Sequence, residues 1–196
     1  GSTFKPYMAL AALELGKRTT QQTISDPGFF QFGNHRFRDD KVGGHGTVDM
    51  YKSIVASCDT YYYVLARETD IDDTQRFMSQ LGFGRKTGID IEGELGGVLP
   101  SRDWKRQRFS GKEYREEHRK WYLGDSISAG IGQGYNAFTP IQLAHATATI
   151  ANDVVFTTTF DGTLYGLNAD TGAEVFKRKL SAGTNAPVGV YGDTVV

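Results

Sequence analysis

Several absences narrow what this chain can be. One cysteine in 196 residues excludes an internal disulfide. Neither charge sign is in excess: 22 basic residues stand against 23 acidic ones, a formal −1. No whole-chain field therefore calls for nucleic acid or an anionic membrane. There is no long apolar run either. The longest stretch free of Asp, Glu, Lys and Arg, from Ser126 to Asn152, carries Gln133, Asn136, Pro140, Gln142 and His145, which a bilayer would not accept. The first residues, Gly-Ser-Thr-Phe-Lys, form no apolar leader core. The sequence as it stands is expected to be soluble, and its start directly on a motif suggests a fragment or an engineered sequence.

What is present indicates a folded domain. Hydrophobic residues make up 39% and aromatics 12%, too many for a disordered chain. The 24 glycines exceed the usual ~7% share and imply many turns or close backbone approaches. Phe4, Met8, Ala11, Ala12 and Leu15 fall at helical spacing, with Pro6 in the first turn and Gly16 as a stop. Residues 21–45 read as an irregular aromatic loop. Thr47 is predicted to cap a helix to about Ala56, a second helix runs from Asp59 to Glu68, and Asp72 caps a third through Leu81. Residues 83–100 read as extended loop. Ser101 to Lys120, with eight basic and four acidic residues, reads as a solvated loop, or else as a contact for an anionic partner. Thr139 and Pro140 open a last helix to about Ala151. From Asp153 onward short β-type runs separated by Asp161-Gly162, Asp170-Thr171-Gly172 and Gly192-Asp193 predict a meander.

Three constellations could carry chemistry. Ser2 and Lys5, three residues apart, share a helix face, and a partly desolvated lysine can take the proton of a serine nucleophile. Taken alone, Ser-x-x-Lys is as readily a cap beside a surface lysine. Ser57-Cys58-Asp59, between two helices, offers a hydroxyl that can shuttle a proton and a side chain that can hold an amide. Taken alone, it too is a plain cap. Asp26, Asp39, His45 and Cys58 are O, N and S donors of the kind that suits tetrahedral zinc, with His35 and Asp40 as substitutes. By spacing alone, four unrelated loop residues are the simpler reading. His118 and His145 stand apart from this set.

The blocks GSTFKP, SCDTYYY, LGFGRKTGIDIEGE and GDSISAGIGQGYNAFTPIQLAHA, in this order, resemble the transpeptidase domain of class B penicillin-binding proteins, most of all the elongation-type penicillin-binding protein 2 group. The resemblance covers residues 1–153 and implies an α+β fold. It further implies Ser2 as acylated nucleophile, Lys5 as its base, Ser57 and Asp59 as the second active-site element, and a structural zinc on Asp26, Asp39, His45 and Cys58. Residues 130–134, Gly-Ile-Gly-Gln-Gly, are then a loop leading into the last helix and not a phosphate cradle. The partners implied are β-lactams and peptidoglycan stem peptides, with no nucleic acid. The parent family is periplasmic and anchored in the inner membrane.

Two departures follow. The family's strands before the nucleophile helix are missing. Its third motif, Lys-Ser/Thr-Gly, belongs on a strand beyond the last helix, so Lys86-Thr87-Gly88 lies too early to serve. Residues 154–196 instead resemble one blade of a quinoprotein-type β-propeller. A single blade cannot build a cofactor site, so no quinone is expected. The chain thus reads as a chimera, 1–153 transpeptidase-like and 154–196 a replacement sheet with an apolar face of Val155, Leu164, Leu167 and Val175. Lys179, Ser181, Gly183 and Thr184 resemble a loosened third motif and are the candidate substitute for it. The function expected is serine acyl transfer. β-Lactam hydrolysis and an inert chimera are the alternatives, and exposed sheet edges allow homo-oligomers by strand exchange.

Overall fold

A computed structural model describes residues 1–90, 92–150, 154–158, 163–168, 173–179, 190–191 and 194–195. The architecture is mixed α+β, in two compact units, residues 1–139 and 140–196. The division falls before the last helix, whereas the sequence blocks suggested one after it.

In the first unit a short 3₁₀ turn, Ser2–Phe4, leads into α1 (Lys5–Glu14), which buries Tyr7, Met8, Ala9, Ala11 and Ala12. Small side chains on several faces let neighbours pack around this helix. The segment read as an irregular loop is instead two antiparallel pairs. The first is β1 (Ile24–Asp26), whose partner β4 (Gly46–Val48) comes after the second pair, β2 (Phe29–Phe32) with β3 (His35–Arg38). Three- and four-residue strands are too short to reveal a period in sequence.

Next come α2 (Met50–Val55), α3 (Asp59–Glu68) and α4 (Ile71–Gln80). Two expected caps move. Asp49, not Thr47, caps α2 by accepting from the Lys52 amide at 2.8 Å, since Thr47 is held in β4. Asp70, not Asp72, caps α4 through the Asp72 amide at 2.9 Å. The charged stretch is also more ordered than expected: Ser101 caps α5 (Arg102–Arg108), and α6 (Glu116–Arg119) follows. Residues 84–90 and 92–97 form neither helix nor strand, and among them the Glu94 carboxylate accepts from the Thr87 amide and hydroxyl at 2.6 and 2.7 Å. Lys86-Thr87-Gly88 is therefore a carboxylate-bound turn.

The last helix of this unit, α7 (Leu123–Gly130), packs on α3. A Cβ on Gly130 would lie 2.6 Å from Ala66 Cβ and 2.9 Å from the Tyr62 carbonyl oxygen, so the two helices meet backbone to backbone there.

The second unit holds α8 (Pro140–Ile150), the antiparallel meander β5 (Val154–Thr158), β6 (Thr163–Asn168), β7 (Glu174–Lys179), and the pair β8 (Val190–Tyr191), β9 (Thr194–Val195). The meander agrees with the turn signals, and β6 and β7 shift register at Gly166/Leu167. One member of the expected buried face departs: Val175 is 57% exposed, on a strand exposed along its whole length. No helix among the described residues is long and apolar enough to cross a membrane.

Arg102 ties the start of α5 to the start of α4. Its Nη2 donates to Asp70 at 2.7 Å and its Nη1 to Asp72 at 2.6 Å. The Arg102 hydrogen bonds are the main reason that the Asp70 carboxyl is held down at about 2. A depressed carboxylate stabilises the fold above its ordinary pKa of ~3.9, and that contribution vanishes as pH falls through the folded value. Asp70→Asn, which keeps the cap, is expected to be less stable than the parent by roughly 1 kcal/mol or less at neutral pH, because the pair is half exposed. Denaturant unfolding should show that gap closing between about pH 4 and pH 2.

Candidate functional site

Lys5 is the centre of the site. It stands one turn after Ser2, and in a 3₁₀ turn residues three apart eclipse, so both side chains leave the same edge. Ser2 is exposed at this edge, whereas Lys5 is only 2% exposed. The buried ammonium donates to the Ser57 carbonyl at 2.5 Å and the Ser57 hydroxyl at 2.9 Å, and pairs with Asp59 Oδ1 at 2.6 Å. An ammonium has three protons, and here each has an acceptor. The Tyr62 ring faces it at 5.7 Å. A buried charge so satisfied is tolerated; stripped of one partner it would be costly. Sequence reading named Lys5, Ser57 and Asp59, and the fold brings these three together. It missed Tyr62, whose position one turn beyond Asp59 was the available signal.

The Ser57 backbone is shaped by how helices end. Helix α1 closes with Gly16 N–H on the Leu13 carbonyl and Lys17 N–H on the Ala12 carbonyl; α4 closes in the same way through Gly82 and Phe83. Helix α2 repeats the pattern, Ser57 N–H to Ile54 O at 3.2 Å and Cys58 N–H to Ser53 O at 3.0 Å. These are paired Schellman bonds, which place the residue after the cap in the left-handed region favoured by glycine. Gly16 has φ +63° and Ser57 has φ +53°, the sole positive φ of a non-glycine among the described residues. Strain of this kind costs about 1–3 kcal/mol and is retained where the side chain is needed. The turn that aims the hydroxyl at Lys5 also starts α3 with Asp59 in its first turn.

Beside this turn lies the donor cluster. Asp26 ends β1, Asp39 follows β3, His45 precedes β4 and Cys58 precedes α3, and one ligand atom from each lies within 4.8 Å of all the others. His45 Nδ1 is 2.8 Å from Asp26 Oδ2 and 3.3 Å from Asp39 Oδ1; Cys58 Sγ is 3.4 Å from Asp26 Oδ2 and 3.5 Å from Asp39 Oδ2. Tetrahedral zinc with bonds of 2.0–2.3 Å has edges of about 3.3–3.7 Å, so the donor set fits a small four-coordinate cation. Burial is the largest influence on Asp26 and raises it, but the hydrogen bonds it accepts from the Gly28 amide and from His45 hold the carboxyl at about 2. Burial pushes the Cys58 thiol up, and the two carboxylates add to this. The two carboxylates repel one another, and the Cys58 thiol, donating to both, and His45 are the groups set between them. His35 is exposed against Phe37 and Asp40 is exposed, so neither substitute joins the four. His118 packs by Phe109 and Tyr114, and His145 lies in α8.

The cluster and the lysine are mechanically joined, because Asp39 also accepts from the Thr60 amide at 2.8 Å in the first turn of α3. A second support lies at the nucleophile. Gly132, at φ +71°, sits against the first residues: a Cβ there would be 2.5 Å from the Gly1 carbonyl oxygen and 2.6 Å from Phe4 Cβ. Phe4 in turn stacks on Phe138 and meets Phe83 edge-on. The Gly-rich stretch 130–134 therefore packs on the turn bearing Ser2, a role the sequence did not disclose. Of the substitute third motif, Lys179 ends β7 opposite Thr163 in the second unit, and Ser181, Gly183 and Thr184 lie outside the described residues.

A helical unit that brings Ser-x-x-Lys against Ser-x-Asp has a family. The profile of the penicillin binding protein transpeptidase domain matches residues 1–172, and the chain belongs to that family. The match runs past residue 153, the bound that the resemblance in sequence suggested. Among curated relatives, the peptidoglycan D,D-transpeptidase MrdA of Acinetobacter baumannii is 46% identical over 154 residues, 78% of this chain and 22% of that protein. MrdA of Escherichia coli K12 is 41% identical over the same length, 23% of that protein. The chain thus spans about a fifth of these relatives. Among solved structures, Pseudomonas aeruginosa PBP2 in complex with WCK 5153 superposes with a TM-score of 0.71 at 42% identity, over 80% of this chain and 34% of that one. PBP2 of Helicobacter pylori, solved alone and in complex with MreC, gives 0.71 at 36% identity, over 79% and 28%.

The strain at Ser57 predicts an unusual order of stabilities. Ser57→Ala keeps the unfavourable φ and loses the hydroxyl, and is expected to lose about 1–3 kcal/mol. Ser57→Gly loses the hydroxyl but relieves the backbone, and should be the more stable of the two by about 1 kcal/mol. Parallel denaturant titrations yielding the opposite order would remove strain from the account.

Proposed function

We propose that this chain is the part of a D,D-transpeptidase that carries the nucleophile and the second active-site element. Its substrates are stem peptides ending in D-Ala-D-Ala and the β-lactams that mimic them. The observation that carries the reading is the buried Lys5 ammonium bound at once to Ser57 and Asp59 beside an exposed Ser2. In this reading Ser2 Oγ attacks the peptide carbonyl and its proton passes to Lys5. With all three N–H bonds in place Lys5 is full, so the base form is reached only when one proton has moved on, and the Ser57 hydroxyl at 2.9 Å is the nearest relay. Collapse of the tetrahedral intermediate breaks the C–N bond. The relayed proton goes to the leaving D-alanine amine, or to the ring nitrogen when a β-lactam opens. An acyl-Ser2 ester remains for an acceptor amine. Asp59 holds Lys5 in place and balances its charge.

The donor cluster is proposed to bind one structural zinc through Asp26, Asp39, His45 and Cys58. Four protein donors close the shell, so the ion's contribution would be cross-linking two hairpins to the Ser57–Asp59 turn. The segment from 154 onward is proposed to be a propeller-blade-like meander in a recombined chain, supported by the pattern of β5, β6 and β7 with Asp-Gly and Thr-Gly turn sequences between them. The parent protein is proposed to work at the periplasmic face of the inner membrane.

Labelling with fluorescent penicillin should be lost in Ser2→Ala, and Lys5→Ala should slow it by about 10²–10⁴-fold. Intact mass after penicillin treatment separates the readings: a lasting adduct marks acylation, a transient one hydrolysis, and none an inert chimera. A Ser2→Ala protein that labels like the parent refutes the assignment.

Metal analysis of the purified chain should find about one zinc, lost in Cys58→Ala, and chelation should lower the melting temperature. Unchanged zinc in Cys58→Ala would rule out this donor set.

A further inference from the structure

The stretch Ser101–Tyr122 carries eight basic and four acidic residues in a chain whose net charge is −1. Four of the eight have acidic partners: Arg102 on Asp70 and Asp72, Lys105 on Asp125, Arg106 on Asp103, and Lys120 on Glu116. Arg108, Lys112, Arg115 and Arg119 make no ion pair among the described residues. Glu113 and Glu117 make none either, so the stretch keeps two more unpaired cations than unpaired acids among the described residues.

One of these unpaired cations, Arg119, lines a groove of about 710 Å³ between α5 and the segment 116–122, within the 300–1,000 Å³ usual for ligand sites. Arg119 is fixed in its wall: Nε donates to the Phe109 carbonyl at 2.8 Å and Nη2 to those of Ser110 and Gly111 at 3.2 and 3.3 Å. Carbonyls orient the guanidinium without cancelling its charge. Arg102, Arg106 and Lys120, each paired with a carboxylate at the surface and 44%, 65% and 57% exposed, and the single acid Glu116 complete the charged lining.

The groove also has an aromatic side, and it is braced. Tyr122 is 50% exposed in it, beside Trp121. Beneath, the buried Lys105 ammonium lies 5.2 Å from the Tyr122 ring, 5.7 Å from Trp121 and 5.2 Å from Tyr135, and pairs with Asp125 at 2.6 Å. Asp125 also accepts from the Tyr122 amide at 2.8 Å, and Trp121 Nε1 donates to Ser126 Oγ at 2.8 Å. The rings are therefore held before any ligand arrives, which lowers the entropy cost of binding.

An exposed ring face suits the C–H face of a sugar, and fixed cations beside it suit carboxylates. Both occur together in a glycan strand that bears peptide carboxylates. We infer that this groove holds an uncross-linked peptidoglycan strand away from the reacting peptide, as a docking surface for the anionic polymer. The inference rests on the transpeptidase reading above, yet its test is separable from it.

Soluble uncross-linked peptidoglycan strands would be titrated against the whole chain by calorimetry, beside the same strands with carboxylates amidated, and beside anionic phosphatidylglycerol vesicles. Penicillin acylation would be followed in parallel. Strands should bind, amidated strands should bind roughly tenfold more weakly, and added salt should weaken binding. The double variant Arg106→Gln, Lys120→Gln, which leaves the Arg119 and Lys105 contacts untouched, should lose roughly tenfold in strand affinity with the acylation rate unchanged. Tyr122→Ala should lose affinity as well. Strands that bind the double variant or survive amidation at full affinity, or vesicles that bind more tightly than strands, would overturn the inference. A chain that acylates but binds no strand defeats the groove alone. A chain that does neither defeats the transpeptidase reading with it.

Discussion

The rest of the first unit is arranged around one buried charge. Lys5 must be desolvated to stand beside Ser2, and the fold accepts this only because two groups from the Ser57–Asp59 turn and one carboxylate meet its three protons. That requirement fixes the position of α1 against the α2–α3 junction across more than 50 residues of chain. It also accounts for a serine in a backbone conformation that α1 and α4 give to glycine.

The donor cluster can be understood as the support for that junction. A three-residue turn between helices has few contacts of its own. Here the Asp39 carboxylate binds the first turn of α3 through the Thr60 amide, and Cys58 lies within the turn itself. Four side chains from four separate element ends converge there. The arrangement couples the hairpins, which carry no catalytic group, to the residues around Lys5.

On the opposite side, close backbone contact does the same work without polar groups. Gly130 lets α7 lie on α3, and Gly132 lets the following turn reach Gly1 and Phe4. The aromatic cluster of Phe4, Tyr7, Phe83 and Phe138 then seals the base of the nucleophile turn. Lys105 and Asp125 anchor the start of α7 at its other end. Both buried lysines of this unit thus act as fixed points between helices, each with a carboxylate and at least one aromatic ring beside it.

Much of this was legible in the residues themselves. Helix α1 follows from apolar spacing, α8 from Thr139 and Pro140 at its start, the meander from its turn signals, and Ser2, Lys5, Ser57 and Asp59 from motifs whose spacing is local. The β1–β4 and β2–β3 pairs were not legible, because strands of three or four residues carry no period, and Asp49 and Asp70 took the caps that Thr47 and Asp72 were expected to supply. Local order thus depends on forces acting over a few residues, which a sequence displays. The meeting of Lys5 with Ser57, of Asp26 with His45 and Cys58, and of Lys105 with its ring of aromatics depends on chain segments many residues apart. Burial and charge compensation select those meetings only after the helices have packed, and for that reason the tertiary structure alone decides them.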